Sequence, residues 1–158
     1  MSVKILHCVG SLASSFGGLA RSVPQLAIAQ AARGMEVGLW TPKSCGREIP
    51  DLTNISDSGL TLYSGAIETT LEEFGNPDLI HDHGIWLPCH RAIAKICNKR
   101  KICRIVSPRG MLAPWALSHK KWKKKIAWSL YQKRDLQTAS ALHATAEDEA
   151  RQLESFGL

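Results

Sequence analysis

The sequence predicts an α/β fold in which a parallel sheet is covered by helices on both faces. Two observations favour it. Short apolar runs alternate with segments whose apolar residues recur at helical spacing, as in a chain of strand and helix units. A length of 158 residues, with 44% apolar and 22% charged residues, fits one domain with a core of its own.

The first half of the chain predicts three strands and two helices. Gly34 ends the first helix and Gly75 the second, while Pro24 lies in the early helical turns, where its missing N–H costs least. The polar, turn-rich segment 43–59 predicts a loop. The predicted strands are 3–9, 35–42 and 60–65, and the helices are 19–33 and 67–75.

The second half continues the alternation. A basic segment, residues 119–136, is predicted to be helical, and Thr145 with Asp148 resembles a capping box at the start of the last helix. The predicted strands are 77–84, 101–108 and 139–145, and the other helices are 87–101 and 146–157. The whole pattern predicts a single Rossmann-like domain.

In such a sheet, ligands bind beyond the carboxyl ends of the strands. The loop after the first strand, GSLASSFGGLAR, lacks the G-x-G-x-x-G pattern, and the second strand ends Trp40-Thr41-Pro42 without the acid of a dinucleotide site. A Gly-Lys-Ser/Thr sequence is also missing. These absences disfavour nicotinamide enzymes and P-loop ATPases.

The glycine pair Gly17-Gly18 stands where a helix begins after the first strand. Free amides and the positive end of the helix dipole favour an anion there, and glycine lets it approach the backbone. Arg21, one turn further on, is predicted to point towards the same anion. The alternatives are a tight turn that fits the helix onto the sheet and a solvated or salt-bridged arginine.

Charge and cysteine content bound the partners and the compartment. Between His83 and Arg134 there is no acidic residue, yet 14 of the 20 Lys/Arg residues fall there, which indicates an anionic partner. The five cysteines include no C-x-x-C pair and are interpreted as reduced thiols. Neither a signal peptide nor a membrane span is found, so we expect a cytoplasmic protein.

Three segments together resemble family four of the B-type (GT-B fold) glycosyltransferases, a group of retaining sugar transferases. They are VKILHCVGSLASSFGGLARSVPQLAIAQAARGMEV, PDLIHDHGIWLP and the stretch from SPRGMLAPW to ARQLESFG, in the family's order. The resemblance implies one half of a two-domain GT-B enzyme. The N-terminal half supplies the acceptor site, and the C-terminal half grips a nucleotide sugar.

We therefore expect residues 1–158 to be the N-terminal domain, with the nucleotide-sugar domain absent and little activity alone. The implied reaction transfers a sugar to a glycan or lipid-linked acceptor in surface polysaccharide or glycolipid synthesis, with the nucleotide sugar as co-substrate and no cofactor. Donor, acceptor, linkage and oligomeric state are left open. A non-catalytic basic module that binds nucleic acid or an anionic membrane is the alternative, with nucleic acid disfavoured because its common binding motifs are missing.

The motif HDHGIW carries the next candidates. His81 and His83 share one side of an extended strand, with Asp82 opposite. His83 is the candidate for contacting an acceptor hydroxyl or the anomeric centre, Asp82 is grouped with the binding residues, and His81 is interpreted as a core histidine. Trp86 is a sugar platform or a packing residue. No third histidine or cysteine is suitably spaced, so no metal site is predicted.

Ser107 and Arg109 follow the fifth strand. Many family members have a histidine on this loop against the transferred sugar, and Arg109 is its nearest equivalent here. A guanidinium is a poor base but a good fork for phosphate or carboxylate, so Arg109 is predicted to neutralise an anionic donor or acceptor. The alternative is an arginine bonded to loop carbonyls. Ser107 is assigned to the same binding set.

In the basic segment, Trp122, Ile126 and Leu130 form one apolar stripe, while Trp128 and Tyr131 fall on another side. Two apolar faces need two partners. One is expected to be the sheet. The other is the second domain or an anionic membrane whose phosphates contact the lysines, with a plain solvated lysine face as the alternative.

Overall fold

One parallel sheet organises the residues that the computed structural model describes, 2–42 and 59–158. Its six strands in this part of the chain lie in the order β3, β2, β1, β4, β5, β6, and every neighbouring pair is parallel. The order reverses between β1 and β4, as in doubly wound folds. The predicted Rossmann-like domain is confirmed. The strands are β1 Lys4–Val9, β2 Glu36–Thr41, β3 Thr61–Ser64, β4 Leu79–His83, β5 Cys103–Ser107 and β6 Ala141–Leu142.

Helices connect these strands. In α3, Pro88 occupies the first turn and Lys101 ends the helix in the left-handed conformation (φ 59°), with Lys99 and Arg100 in its last turn, where cations interact favourably with the helix dipole. The described helices are α1 Leu19–Ala31, α2 Ile67–Glu73, α3 Pro88–Arg100, α4 Pro114–Ser118, α5 Lys121–Ala127, α6 Lys133–Gln137 and α7 Glu147–Ser155.

Apolar clusters lie on both faces of the sheet. Leu6 and Cys8 of β1 pack with Ile93 of α3, whereas Val9 packs with Val23 of α1, because alternate residues of a strand face opposite sides. Full burial of each such Leu, Ile or Val contributes roughly 1.5–3 kcal/mol. The histidines described below lie on the α1 side of β1 and β4.

The basic segment is helical, as predicted, but it is not one regular helix. A π-helical turn, Trp128–Gln132, separates α5 from α6. The turn carries buried Gln132, whose Oε1 accepts a hydrogen bond from the backbone N–H of Trp86 at 3.1 Å. Helical periodicity alone does not reveal this irregularity, because it accompanies a contact with a residue 46 positions away.

The predicted capping box of Thr145 and Asp148 is wrong. Helix α7 begins at Glu147, and the side chain of Asp148 is exposed and pairs with Arg151. Glu149 instead reaches back, and its Oε2 accepts hydrogen bonds from the N–H and hydroxyl of Thr145 at 2.7 and 2.9 Å. The sixth strand, Ala141–Leu142, is also shorter than predicted.

The four described cysteines are free thiols. Burial raises the pKa of Cys89 to about 11 and that of Cys97 to about 12, which keeps both protonated and unreactive. Cys45 and the predicted loop at 43–59, apart from Gly59, lie outside the described residues. Among the residues described, no helix has both the length and the apolar character needed to cross a bilayer.

Candidate functional site

Neighbouring strands bring histidines together on one face of the sheet. The parallel register places His7 of β1 beside His81 of β4, and His83 beside Ser107 of β5. The rings of His81 and His83 are 3.9 Å apart between centroids, and those of His7 and His83 are 5.2 Å apart. We call His7, His81 and His83 the histidine cluster.

The histidine cluster is buried and electrically neutral at pH 7. Loss of hydration lowers the pKa of His7, lowers that of His81 to about 3, and lowers that of His83 further. Repulsion between neighbouring rings and from the Arg109 guanidinium adds to the effect on His81 and His83. No carboxylate among the described residues compensates for a positive charge here, so the imidazoles remain uncharged.

His83 has no free ring nitrogen. Its Nε2 lies 3.0 Å from Nδ1 of His7, and its Nδ1 lies 3.1 Å from Nη2 of Arg109. His7 in turn uses Nε2 for a 2.6 Å contact with Oε1 of Gln30 in α1. Sequence reasoning gave His83 a direct contact with an acceptor, but this geometry leaves its ring fully buried and fully engaged by protein groups.

Ser107 is likewise engaged within the protein. Its hydroxyl lies 2.8 Å from Nε2 of His81 and 2.9 Å from Nδ1 of His143, and the residue is fully buried. A serine hydroxyl can donate to one of these nitrogens and accept from the other. Ser107 therefore links two imidazoles, and this geometry does not present its hydroxyl to a ligand.

Asp82 faces the opposite side of β4, as the alternation predicts. Its Oδ1 lies 2.6 Å from Nδ1 of His90 in α3, and its Oδ2 lies 3.7 Å from Nη1 of Arg104 in β5. The carboxylate is fully buried. Its placement among the binding residues is not favoured by the structure, because α3 and β5 enclose it away from any ligand.

The Arg109 loop is held in a bend by Glu149. Arg109 and Gly110 both have positive φ, 56° and 74°, and Oε1 of Glu149 accepts a 2.7 Å hydrogen bond from the N–H of Gly110. A left-handed arginine is strained by about 1–3 kcal/mol, and the carboxylate offsets part of that cost. Nε of Arg109 has no hydrogen-bond partner among the described residues.

The glycine pair lies beside an open concavity of about 420 Å³, which Ser14, Ala20 and Arg21 also line. The amide of Gly17 is not free, because it donates to the carbonyl of Ser14 at 3.3 Å. For the amide of Gly18, no acceptor lies among the described residues. The predicted anion site thus keeps Gly18 and Arg21 but loses the Gly17 amide, and the described lining contains neither His83 nor Arg109.

Trp86 separates two apolar cavities. One, of about 210 Å³, is bounded by Leu117, Trp128 and three lysines, and the other, of about 350 Å³, by Phe16, Met111 and Trp115. The residue has φ 77°, and its indole N–H donates to the carbonyl of Met111 at 3.1 Å. Both the packing role and the platform role predicted for Trp86 fit this position.

The apolar stripe of the basic segment has no cover in the described structure. Trp122 is 64% exposed, Ile126 51% and Leu130 73%, and Trp115 of α4 is 75% exposed. The second apolar side is covered, since Trp128 packs against Phe156 at 4.9 Å between centroids and Tyr131 stacks under Arg91. Of the two predicted partners, the described residues therefore supply one for the side of Trp128 and Tyr131 but none for the stripe of Trp122, Ile126 and Leu130.

A scan against family models matches residues 16–158 to Glycosyltransferase Family 4. The chain belongs to glycosyltransferase family 4. A search of curated proteins found no match.

Two solved structures support the fold of this family 4 domain. A protein assigned as a UDP-N-acetylglucosamine 2-epimerase from Listeria monocytogenes matches all of the chain with a TM-score of 0.65 at 11% identity, and the match covers 42% of that protein. A short-chain dehydrogenase/reductase from Veillonella parvula in complex with NADP matches 89% of the chain with a TM-score of 0.52 at 16% identity, and covers 67% of that protein. The chain thus spans less than half of the epimerase.

Sequence reasoning missed several residues of this family 4 site. It judged that no third histidine was suitably spaced for HDH, yet β1 lies beside β4 and brings His7 within 4.8 Å of both, counting one ring nitrogen from each residue. Gln30, His143 and Glu149 were also missed. For His7 a signal existed in its position at the centre of the first predicted strand, once strand order is known.

Proposed function

We propose that the chain is the acceptor-side half of a retaining glycosyltransferase. It joins with a second domain that holds a nucleotide sugar, and the sugar moves to a glycan or lipid-linked acceptor in surface polysaccharide or glycolipid synthesis. Family membership supports the transferase class. We expect this half to need a domain that holds the nucleotide sugar in order to turn over a donor.

The observation that carries the proposal is the amide of Gly18 at the start of α1, which has no acceptor in the described part of the chain, with Arg21 one turn away. The departing nucleoside diphosphate carries the charge that the reaction must stabilise. An unpaired N–H at the positive end of a 13-residue helix is suited to that task. The charged guanidinium of Arg109, whose Nε has no hydrogen-bond partner within residues 2–42 and 59–158, supplies a second cation at the carboxyl edge of the sheet.

Gly18 allows a sharp test because its backbone is ordinary. Its φ of −59° suits any residue, and an added Cβ would meet nothing within 4 Å. Gly18→Val therefore preserves the fold while filling the space an anion needs. We expect a nucleoside diphosphate to shift the amide signals of Gly18 and Leu19 in NMR, and the valine variant to weaken binding about tenfold or more.

The matched control is Ala66→Val at the start of α2, which places the same valine side chain at the start of another helix. Equal affinity in wild type and Gly18→Val, or equal weakening by the control, would contradict the anion site. Gly17 is unsuitable for the test, because its φ of 77° would strain any other residue. Donor turnover by the 158-residue chain alone would contradict the need for a second domain.

The exposed apolar stripe favours a second, compatible role at an anionic membrane surface on the cytoplasmic side. Trp122, Ile126 and Leu130 lie among lysines, as in helices that rest at a headgroup region. We expect flotation with vesicles containing phosphatidylglycerol and much less with phosphatidylcholine alone.

The double change Trp122→Ser and Leu130→Ser should reduce this flotation, whereas Val3→Ser, an exposed apolar residue outside the segment, should not. Flotation independent of lipid charge would contradict the role. Tight, steeply salt-dependent binding to duplex DNA instead would favour the nucleic-acid module.

A further inference from the structure

The histidine cluster has the residue types of a metal site, but its hydrogen bonds oppose metal binding. One ring nitrogen from each of its members lies within 4.8 Å of the others, and three neutral imidazoles are a common ligand set for zinc. The cluster, however, has an arginine bonded to one of its rings. That contact decides which nitrogens carry protons.

The direction of the hydrogen bonds follows from the two groups at the ends of this series, Arg109 and Gln30. Arginine can only donate, so Nδ1 of His83 must accept from Arg109 at 3.1 Å. A neutral His83 then carries its proton on Nε2 and donates to Nδ1 of His7 at 3.0 Å. His7, also neutral, carries its proton on Nε2 and donates to Oε1 of Gln30 at 2.6 Å. The last group is an acceptor, so every bond in the series is consistent.

Burial makes this pattern hard to change. His7 and His83 are fully buried, and the charged or titratable groups around them are Arg109, His81 and His143, none of which is an anion. Burial and these neighbours hold the pKa of both rings below the ordinary value, so protonation at pH 7 does not erase the tautomers.

The same pattern opposes a metal ion. A metal needs a lone pair on the nitrogen that faces it, but Nε2 of His83, the atom facing His7, holds a proton. The other tautomer of His83 would direct an N–H at the N–H of Arg109, which has no lone pair to accept it. The positive guanidinium also repels a cation.

We propose that Arg109, His83, His7 and Gln30 form one directional hydrogen-bond chain, in which Arg109 fixes both tautomers and the cluster positions the guanidinium instead of binding a metal. His83, His7 and Gln30 are thus positioning residues that tie the Arg109 loop to α1. The role of the guanidinium towards an anion rests on the proposed function, whereas the tautomers can be measured with no ligand present.

The first test is long-range proton–nitrogen NMR of the imidazoles at pH 7. We expect a single tautomer for His83 and for His7, each protonated on Nε2. Arg109→Met removes the donor, so His83 should populate both tautomers. Arg109→Lys keeps an N–H donor and a charge and should restore the wild-type pattern, while Arg33→Met, an exposed arginine of similar chemistry, should leave it unchanged.

The second test is a titration with Co²⁺, followed by visible absorption. Wild type and Arg109→Lys should show no histidine-bound cobalt at a concentration that loads Arg109→Met, whose affinity should be about tenfold or more higher, since partners of metal ligands shift affinity by that order. A further His83→Gln change should abolish the gain. Cobalt bound by the wild-type histidines would overturn the proposal, as would an Arg109→Met protein whose tautomers or cobalt response match wild type.

Because neither readout involves a nucleotide, failure of the Gly18 experiment would leave this proposal standing. The reverse also holds, since anion binding at Gly18 does not require any particular tautomer. Gln30→Met supplies an independent check that leaves Arg109 intact. His83 should stay protonated on Nε2, because Arg109 still donates to its Nδ1, and a change of the His83 tautomer would overturn the assigned direction.

Discussion

The two faces of β4 differ in charge although adjacent residues form them. We call the face of His81 and His83 the neutral face and the face of Asp82 the charged face. On one face, His81 and His83 lie among other imidazoles with no acidic group against them, and they are held as neutral rings. On the other, the Asp82 carboxylate is buried against His90 and Arg104, which supply it with hydrogen-bond and ionic partners. The comparison teaches that a histidine motif gains its chemistry from the neighbouring elements on its own face, and not from the residues next to it in sequence.

Acidification should destabilise the folded protein through the histidines of the neutral face, and we expect this to be the largest effect. Unfolded histidine titrates near 6.5, and the folded pKa values of His7, His81 and His83 lie below that. Below about pH 6.5 the unfolded chain therefore binds more protons, and stability falls as pH falls; for His81 the loss continues until about pH 3.

Each ring that is charged in the unfolded chain and neutral in the folded protein contributes a slope of about 1.4 kcal/mol per pH unit. Urea unfolding from pH 8 to pH 4.5 would measure the slope. His81→Gln should reduce it by up to about 1.4 kcal/mol per pH unit. A stability that is constant between pH 7 and pH 5 would contradict the neutral face.

Removing the Asp82 carboxylate from the charged face should also destabilise the protein. Asp82→Ala leaves Arg104 and His90 without their buried partner, and such a loss costs about 3–5 kcal/mol. Equilibrium unfolding in urea at pH 7 would measure it. The control is Asp148→Ala, whose exposed pair with Arg151 should contribute less than about 1 kcal/mol. Similar losses in both variants would show that Asp82 is not structurally important.

The smallest expected effect concerns Gln30, the last acceptor in the series of hydrogen bonds that begins at Arg109. Gln30→Met leaves the N–H of His7 buried without an acceptor, which should destabilise the protein by about 1–3 kcal/mol. Gln25→Met, on the exposed side of the same helix, is the matched control and should be nearly neutral. Equal stability of the two variants in urea would argue that Gln30 does not accept from His7.

Much of the fold could be predicted because apolar period and turn residues are local signals. Gly34 and Gly75 follow the ends of α1 and α2, and Pro88 begins α3 near where the pattern indicated. The failures involve contacts at a distance. Asp148 has the spacing of a capping box, but Glu149 reaches the Gly110 amide 39 residues away, and the π-helical turn accompanies a contact from Gln132 to Trp86.

The candidate site was predicted less completely than the fold. Alternation placed Asp82 opposite His81 and His83, but it did not reveal that His83 and Ser107 are occupied by other side chains. The described lining of the concavity at Gly18 also does not include Arg109, although both loops follow strand ends. A loop's place along the sequence fixes the edge of the sheet it occupies, and not the direction in which its side chains point.

By itself, the sequence determined the alternation of strands and helices, the edge at which the loops gather, and which side chains share a face of each strand. These depend on residue size, polarity and backbone preference within a few positions. Only the tertiary structure decided that His7, 76 residues from His83, completes the histidine cluster and that Arg109 directs its protons. Strand order and register set such contacts, and they result from packing over the whole sheet.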